Sequence, residues 1–158
     1  AHHIKHPKVT ELPMADQSAQ LPPLVPHLVV DGAVDALAFY SKAFGATETL
    51  RMPAEDGKRL MHAQMTVNGA AVYLMDYFPE YCSHGDGKTE SPGKLGSSTF
   101  LIHLEVPNCD EAYKRAIAAG ATSILEPWDA FWGARYAQVR DPFGHGWSLA
   151  HPQPAPAA

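Results

Sequence analysis

Cysteine is scarce in this chain and a long apolar run is missing altogether. The two cysteines, Cys82 and Cys109, have no metal-ligand spacing and are too few for a disulfide framework, which fits a reducing, cytoplasmic setting. No stretch reaches the roughly 18 apolar residues that a membrane span needs, and no signal-peptide apolar segment precedes the first strand, so no membrane partner is expected. Basic charge is also thin: 12 Lys and Arg against 17 Asp and Glu give a net charge of −5, and the basic residues are scattered. Without a basic stripe to meet phosphates, nucleic acid is excluded as a partner. No Ser-His-Asp order, Walker loop or dinucleotide fingerprint is visible; Gly85-Asp86-Gly87 lacks the strand and helix a phosphate loop requires.

What remains is an ordinary globular composition, 46% apolar and 18% charged over 158 residues, enough for one compact domain or two small fused modules. The chain says roughly the same thing twice. Gly45-Ala46-Thr47 returns 75 residues later as Gly120-Ala121-Thr122, and Asp35 returns at the same offset as Asp110. The histidine that opens the first copy, His27, returns as His103 at an offset of 76. One residue has therefore been lost between strand and helix in the second copy, and the duplication supplies two walls of one geometry.

Each copy reads as βαβββ. In the first, residues 24–30 form a strand and 34–44 a helix stopped by Gly45; strands follow at 48–52, 59–67 and 70–76, with Asn68-Gly69 as a hairpin signal. In the second, the strands are 99–106, 123–126, 134–140 and 146–151, the helix is 110–119, and Asp141-Pro142-Phe143-Gly144 makes the last turn. The expected organisation is a flexible, partly expression-derived leader over 1–23 with Met14 as a candidate start, a first module over 24–76, a linker or lid over 77–97, a second module over 98–151 and a Pro-rich tail over 152–158.

Strand alternation sets Leu28 and Val30 opposite His27, and Ile102, Leu104 and Val106 opposite His103 and Glu105. The apolar sides must meet the helices. His27 and His103 therefore point away from them, and His62 and Gln64 share the polar side of their strand.

Paired βαβββ modules, a histidine in each first strand, the helix end Tyr40 to Gly45 and the closing run from Asp129 through Trp132, Arg135, Asp141 and Gly144 to Trp147 resemble the vicinal oxygen chelate superfamily. The similarity is greatest to glyoxalase and bleomycin-resistance-like proteins of its PhnB-like branch. The resemblance covers residues 24–151 and implies an α+β fold of two βαβββ modules forming a curved, cup-shaped mixed sheet, as in the glyoxalase/bleomycin resistance/dihydroxybiphenyl dioxygenase-like proteins. It implies a small-molecule ligand and a homodimer. It also implies one divalent metal ion (Zn, Mn, Fe, Ni or Co) held by side chains from the first and last strands of each module. His27 and His103 match the first-strand positions, but Tyr73 and Ser148 stand where the family's carboxylates would be, a donor set below the three good ligands a catalytic ion usually has.

Glu105 and His62 are the candidates to complete that site or to serve as a catalytic base. Tyr73, Trp132, Arg135, Trp147 and Ser148 are the candidate ligand-binding residues: the aromatics for stacking area, Arg135 to grip a carboxylate or pair with Asp129 or Asp141. Asp76 is a further carboxylate able to abstract a proton, and His145 reads as an exposed or turn-bonding histidine. Three readings stay open: a metal-assisted lyase, isomerase or dioxygenase; a metal-free binding or sequestration protein; and a metal-independent enzyme using His62 or Glu105 as base.

Overall fold

The first module begins with strand β1 (His27–Val30) and helix α1 (Ala33–Phe44), then β2 (Thr47–Pro53), β3 (Leu60–Val67) and β4 (Ala70–Asp76). This computed structural model describes residues 21–81 and 89–154. The linker carries a 3-10 turn at Pro79–Tyr81 and a short helix α2 (Pro92–Leu95), neither of which the linker's sequence announced. Most of the expected leader (residues 1–20), part of the expected lid (82–88, with Cys82) and the end of the tail (155–158) lie outside the described residues. The second module contains β5 (Leu101–Glu105), α3 (Cys109–Ala119), β6 (Thr122–Ala130), β7 (Ala134–Arg140) and β8 (Gly146–Pro152).

Each module closes its own four-stranded mixed sheet, ordered β1-β4-β3-β2 and β5-β8-β7-β6. The first strand runs parallel to the last in each, and the other neighbours are antiparallel. The α+β architecture of two βαβββ modules is thus present, as a pair of sheets rather than one continuous sheet.

Helix α1 forms because Ala33, Ala36, Leu37, Phe39, Tyr40 and Ala43 recur on one buried face. Gly45 ends it in the left-handed region at φ 68. Its start depends on Asp76, whose Oδ1 accepts the Gly32 and Ala33 N–H groups at 2.8 and 2.9 Å while Oδ2 accepts from Leu60 N–H at 2.7 Å. Asp76 is buried and ties helix to sheet, so the proton-abstracting role offered by the sequence gives way to a capping one.

Strand β6 runs four residues further than its apolar pattern suggested. Pro127 lacks the N–H a ladder needs, but β6 is an edge strand and its register with β7 shifts between Leu125 and Trp128, which accommodates the proline.

Helices α1 and α3 pack against each other and against the strands of their own modules, joining both modules in one apolar core. Trp147 is fully buried there, its ring centroid 4.5 Å from Phe44 and 5.3 Å from Tyr40. Asp141 lies beside it, accepting from Tyr40 Oη at 2.6 Å, from Trp147 Nε1 at 2.9 Å and from the N–H groups of Phe143 and His145 at 2.9 Å. His145 is buried rather than exposed, and its Nε2 donates to the Val29 carbonyl in the first module at 2.9 Å. Because the helical layer takes Leu28, Val30 and Leu104, the faces bearing His27 and His103 look away from it.

Candidate functional site

The strand registers bring the two halves of the repeat into corresponding rows. Across β1-β4-β3-β2 the row is His27, Tyr73, Gln64 and Leu50. Across β5-β8-β7-β6 it is His103, Ser148, Gln138 and Leu125. Imidazole, amide and leucine recur at matching places, and only the residue beside the histidine differs, a phenol in one sheet and a hydroxyl in the other. The next row sets His62 against Met52 in the first sheet and Tyr136 against Trp128 in the second.

In the first sheet His27, His62 and Tyr73 meet edge to face. Ring centroids are 5.4 Å apart for the two imidazoles, 5.0 Å for His62 and Tyr73, and 6.0 Å for His27 and Tyr73. Gln64 Nε2 lies 3.1 Å from His62 Nε2. Burial lowers the pKa of both histidines, and the charge of His62 lowers that of His27 further. Both are therefore neutral at pH 7, and His62 accepts the Gln64 amide through Nε2.

In the second sheet His103 is held at both ring nitrogens. Its Nδ1 is 2.7 Å from Ser148 Oγ and its Nε2 is 2.9 Å from Glu105 Oε1. Tyr136 stacks near its ring at 6.3 Å, with the planes 16° apart, and receives a hydrogen bond from Gln138 Nε2 at 2.8 Å. From Tyr136 the aromatic surface continues to Trp132 (5.4 Å), and from there to Phe131 (5.0 Å) and Trp128 (5.7 Å). Phe131 is 83% and Trp132 53% exposed; this is an open aromatic wall beside a polar row.

Two expected ligand contacts are placed elsewhere. Trp147 is adjacent to Ser148 in β8, so alternation turns it to the opposite side, into the core. Arg135 grips Asp110 through Nε and Nη2 at 2.9 and 2.8 Å and Asp129 through Nη1 at 2.9 Å, which raises its pKa and lowers that of Asp110, while the Gln153 amide and then Arg135 lower that of Asp129. The pairing with Asp129 was legible; the one with Asp110 was not, and Asp141 is not a partner. Gln138 and Tyr136 had gone unmarked, although Gln138 is the counterpart of Gln64 at an offset of 74 residues.

The family's metal does not fit the donors of one chain. His27 and His103 belong to different sheets, Ser148 is spent on His103, and Tyr73 is a phenol where a carboxylate is needed. Among the described residues no three His, Cys, Asp or Glu side chains gather as a metal-binding group. Two surface hollows, of about 690 Å³ beside Asp31, Arg51 and Lys58 and about 400 Å³ beside Phe44, Asn68 and Glu111, include neither His27 nor His103. His27 and His103 themselves are exposed, while Tyr73 and Gln138 beside them are half-buried.

A family model described as "Glyoxalase/Bleomycin resistance protein/Dioxygenase superfamily" matches residues 20–149. An uncharacterized protein of Mycobacterium bovis is 48% identical over 131 residues, 83% of this chain and 84% of that protein. TioX from Micromonospora sp. ML1 is similar in structure with a TM-score of 0.63 and 28% identity, over 81% of this chain and 96% of that one. A PhnB protein from Bacillus cereus, at 16% identity and a TM-score of 0.59 over 82% of this chain and 99% of that one, shares the fold.

Proposed function

Since this chain belongs to the glyoxalase/bleomycin resistance protein/dioxygenase superfamily, we propose that it binds a small organic ligand on the histidine-bearing face of its second sheet, without a metal. One observation carries the reading: a polar row of His103, Ser148 and Gln138 runs beside the half-buried Tyr136 and the exposed Trp128 and Trp132. Flat rings supply stacking area at low entropic cost, and the row supplies directional hydrogen bonds. The ligand class is therefore a flat aromatic or conjugated molecule carrying at least one oxygen acceptor.

The same proposal includes a homodimer. His27 and His103 are exposed, and so is strand β2 along its whole length, so a second copy laid over them would enclose the ligand. It also includes the PhnB-like branch, for which the closing run from Asp129 to Trp147 is the support, and a cytoplasmic setting, for which Cys109 as a buried free thiol is the support.

Tryptophan fluorescence of chelator-treated, tag-free protein against a panel of flat aromatic acids, phenols and quinones tests the reading. Saturable quenching is the expected result; no response from any panel member would remove it.

A second reading, a metal-assisted lyase, isomerase or dioxygenase, has one observation in its favour. His27, His62 and Tyr73 present two neutral imidazoles and a phenol as neighbours on the first sheet, donor types suited to zinc, iron or nickel. Metal analysis after dialysis against each divalent ion distinguishes the readings. Stoichiometric retention lost in His62→Gln would favour this one.

A further inference from the structure

The geometry points to Ser148 as a nucleophile for acyl transfer, activated by His103, which Glu105 orients. The inference rests on reading the second sheet's face as the ligand site and assigns that site a reaction, the transfer of an acyl group from a small activated ester or thioester.

The hydrogen-bond directions fix the argument. Glu105 as a carboxylate can only accept, so in a neutral His103 the proton sits on Nε2 and is donated to Glu105 Oε1 across 2.9 Å. Nδ1 then carries a lone pair, and Ser148 Oγ, 2.7 Å away, must be the donor. That polarity, hydroxyl to imidazole to carboxylate, is the one a general-base-activated serine requires. The sequence hid it because the residues come in the order His103, Glu105, Ser148, on two strands joined in parallel register.

The surroundings supply the remaining parts. Gln138 is the cross-strand neighbour of Ser148, and only one of its two amide protons is used, on Tyr136 Oη. The other amide proton and the Tyr136 hydroxyl proton are the donors this face would offer to a carbonyl oxygen as it gains charge. The aromatic wall at Trp132 and Trp128 gives an apolar acyl group somewhere to lie. Ser148 is only 3% exposed, which limits the reaction to small, unhindered carbonyl groups that can turn a face to Oγ.

In the first step a lone pair on Ser148 Oγ bonds to the carbonyl carbon, the Oγ proton passes to His103 Nδ1 and the carbonyl π pair moves to oxygen. Collapse of that intermediate breaks the bond to the leaving alkoxide or thiolate, which takes the proton from Nδ1 and leaves acyl-Ser148. Water then attacks the acyl carbon, its proton passes to Nδ1, and the acid departs as Ser148 Oγ recovers the proton.

A small fluorophosphonate, which reports the nucleophile without needing to fit as ligand, tests this by intact mass and peptide mapping on the full, tag-free chain. The expected result is one adduct per chain at Ser148, absent in Ser148→Ala and formed about 100-fold more slowly in His103→Gln. Glu105→Gln, at an exposed position that leaves the fold intact, should slow it about tenfold. No adduct at Ser148 under saturating probe, or an unchanged rate in His103→Gln, overturns the proposal. Tryptophan quenching by the aromatic panel with no adduct would overturn the nucleophile and leave ligand binding standing.

Discussion

Tyr40 donates its phenolic hydroxyl to Asp141 Oδ2 at 2.6 Å, joining the helix of the first module to the closing turn of the second. Both groups are buried, and burial, together with the charge and hydrogen bond of Asp141, holds the Tyr40 hydroxyl well above its ordinary pKa. The bond is charge-assisted and shielded from water, the circumstances in which a hydrogen bond contributes most. Tyr40→Phe should therefore cost about 1.5–3 kcal/mol, read as a lower denaturation midpoint in urea with an unchanged slope. A loss within error of zero would mean that packing around Trp147 alone holds the modules together.

The first-sheet histidines predict an acid sensitivity. His27 and His62 have folded pKa values below the ordinary 6.5, chiefly through burial. As pH falls through 6.5 the unfolded chain takes up protons that the folded chain resists, so stability is fully present above that pH and declines below it. Thermal melting between pH 7.5 and 5 should show a falling midpoint. The fall should be shallower in the His27→Gln, His62→Gln double variant, and an identical slope would contradict this assignment.

Arg135 separates a structural role from a ligand-binding one. Its guanidinium is engaged by Asp110 and Asp129 on a partly exposed surface, so Arg135→Ala should lower the melting midpoint only slightly. Ligand affinity in the fluorescence assay should stay within about twofold, well under the tenfold that 1.4 kcal/mol represents. A tenfold loss of affinity without loss of stability would restore Arg135 as an anchor.

Cys109 should be chemically quiet. Its thiol donates to the Leu149 carbonyl at 3.3 Å, and burial with the charge of Asp110 pushes its pKa up to about 11. At pH 8 almost no thiolate is present to react. Iodoacetamide should leave the Cys109 peptide unmodified in native protein and label it fully in denaturant; rapid native labelling would contradict the packing at the start of α3.

The fold was legible where periodicity and turn chemistry agreed. Strands β4 and β7 coincide with the sequence reading, and alternation placed His27 and His103 on the faces away from the helices because apolar Leu28, Val30 and Leu104 had to be covered. Side-chain partnerships were less legible. Trp147 looked like a ligand contact because aromatic content says nothing about which side of a strand a residue takes, while its neighbour Ser148 did turn to the His103 side. His145 reads as exposed or turn-bonding because it sits in a turn, and its backbone does bond to Asp141 there, but its Nε2 reaches Val29, 116 positions away in the chain. No local signal encodes a bond of that separation, and the same holds for Asp110 with Arg135.

The central claim is that a small organic ligand lies between the His103 row and the aromatic wall. Its most direct test is the dissociation constant of a panel ligand, measured in chelator-treated protein by quenching of the remaining tryptophans and by calorimetry, for the natural chain and for Trp132→Ala. Loss of a stacking ring should weaken binding by about tenfold, corresponding to roughly 1.4 kcal/mol, while removal of metal changes nothing. An affinity that survives Trp132→Ala unchanged, or that vanishes with chelation, would contradict the account.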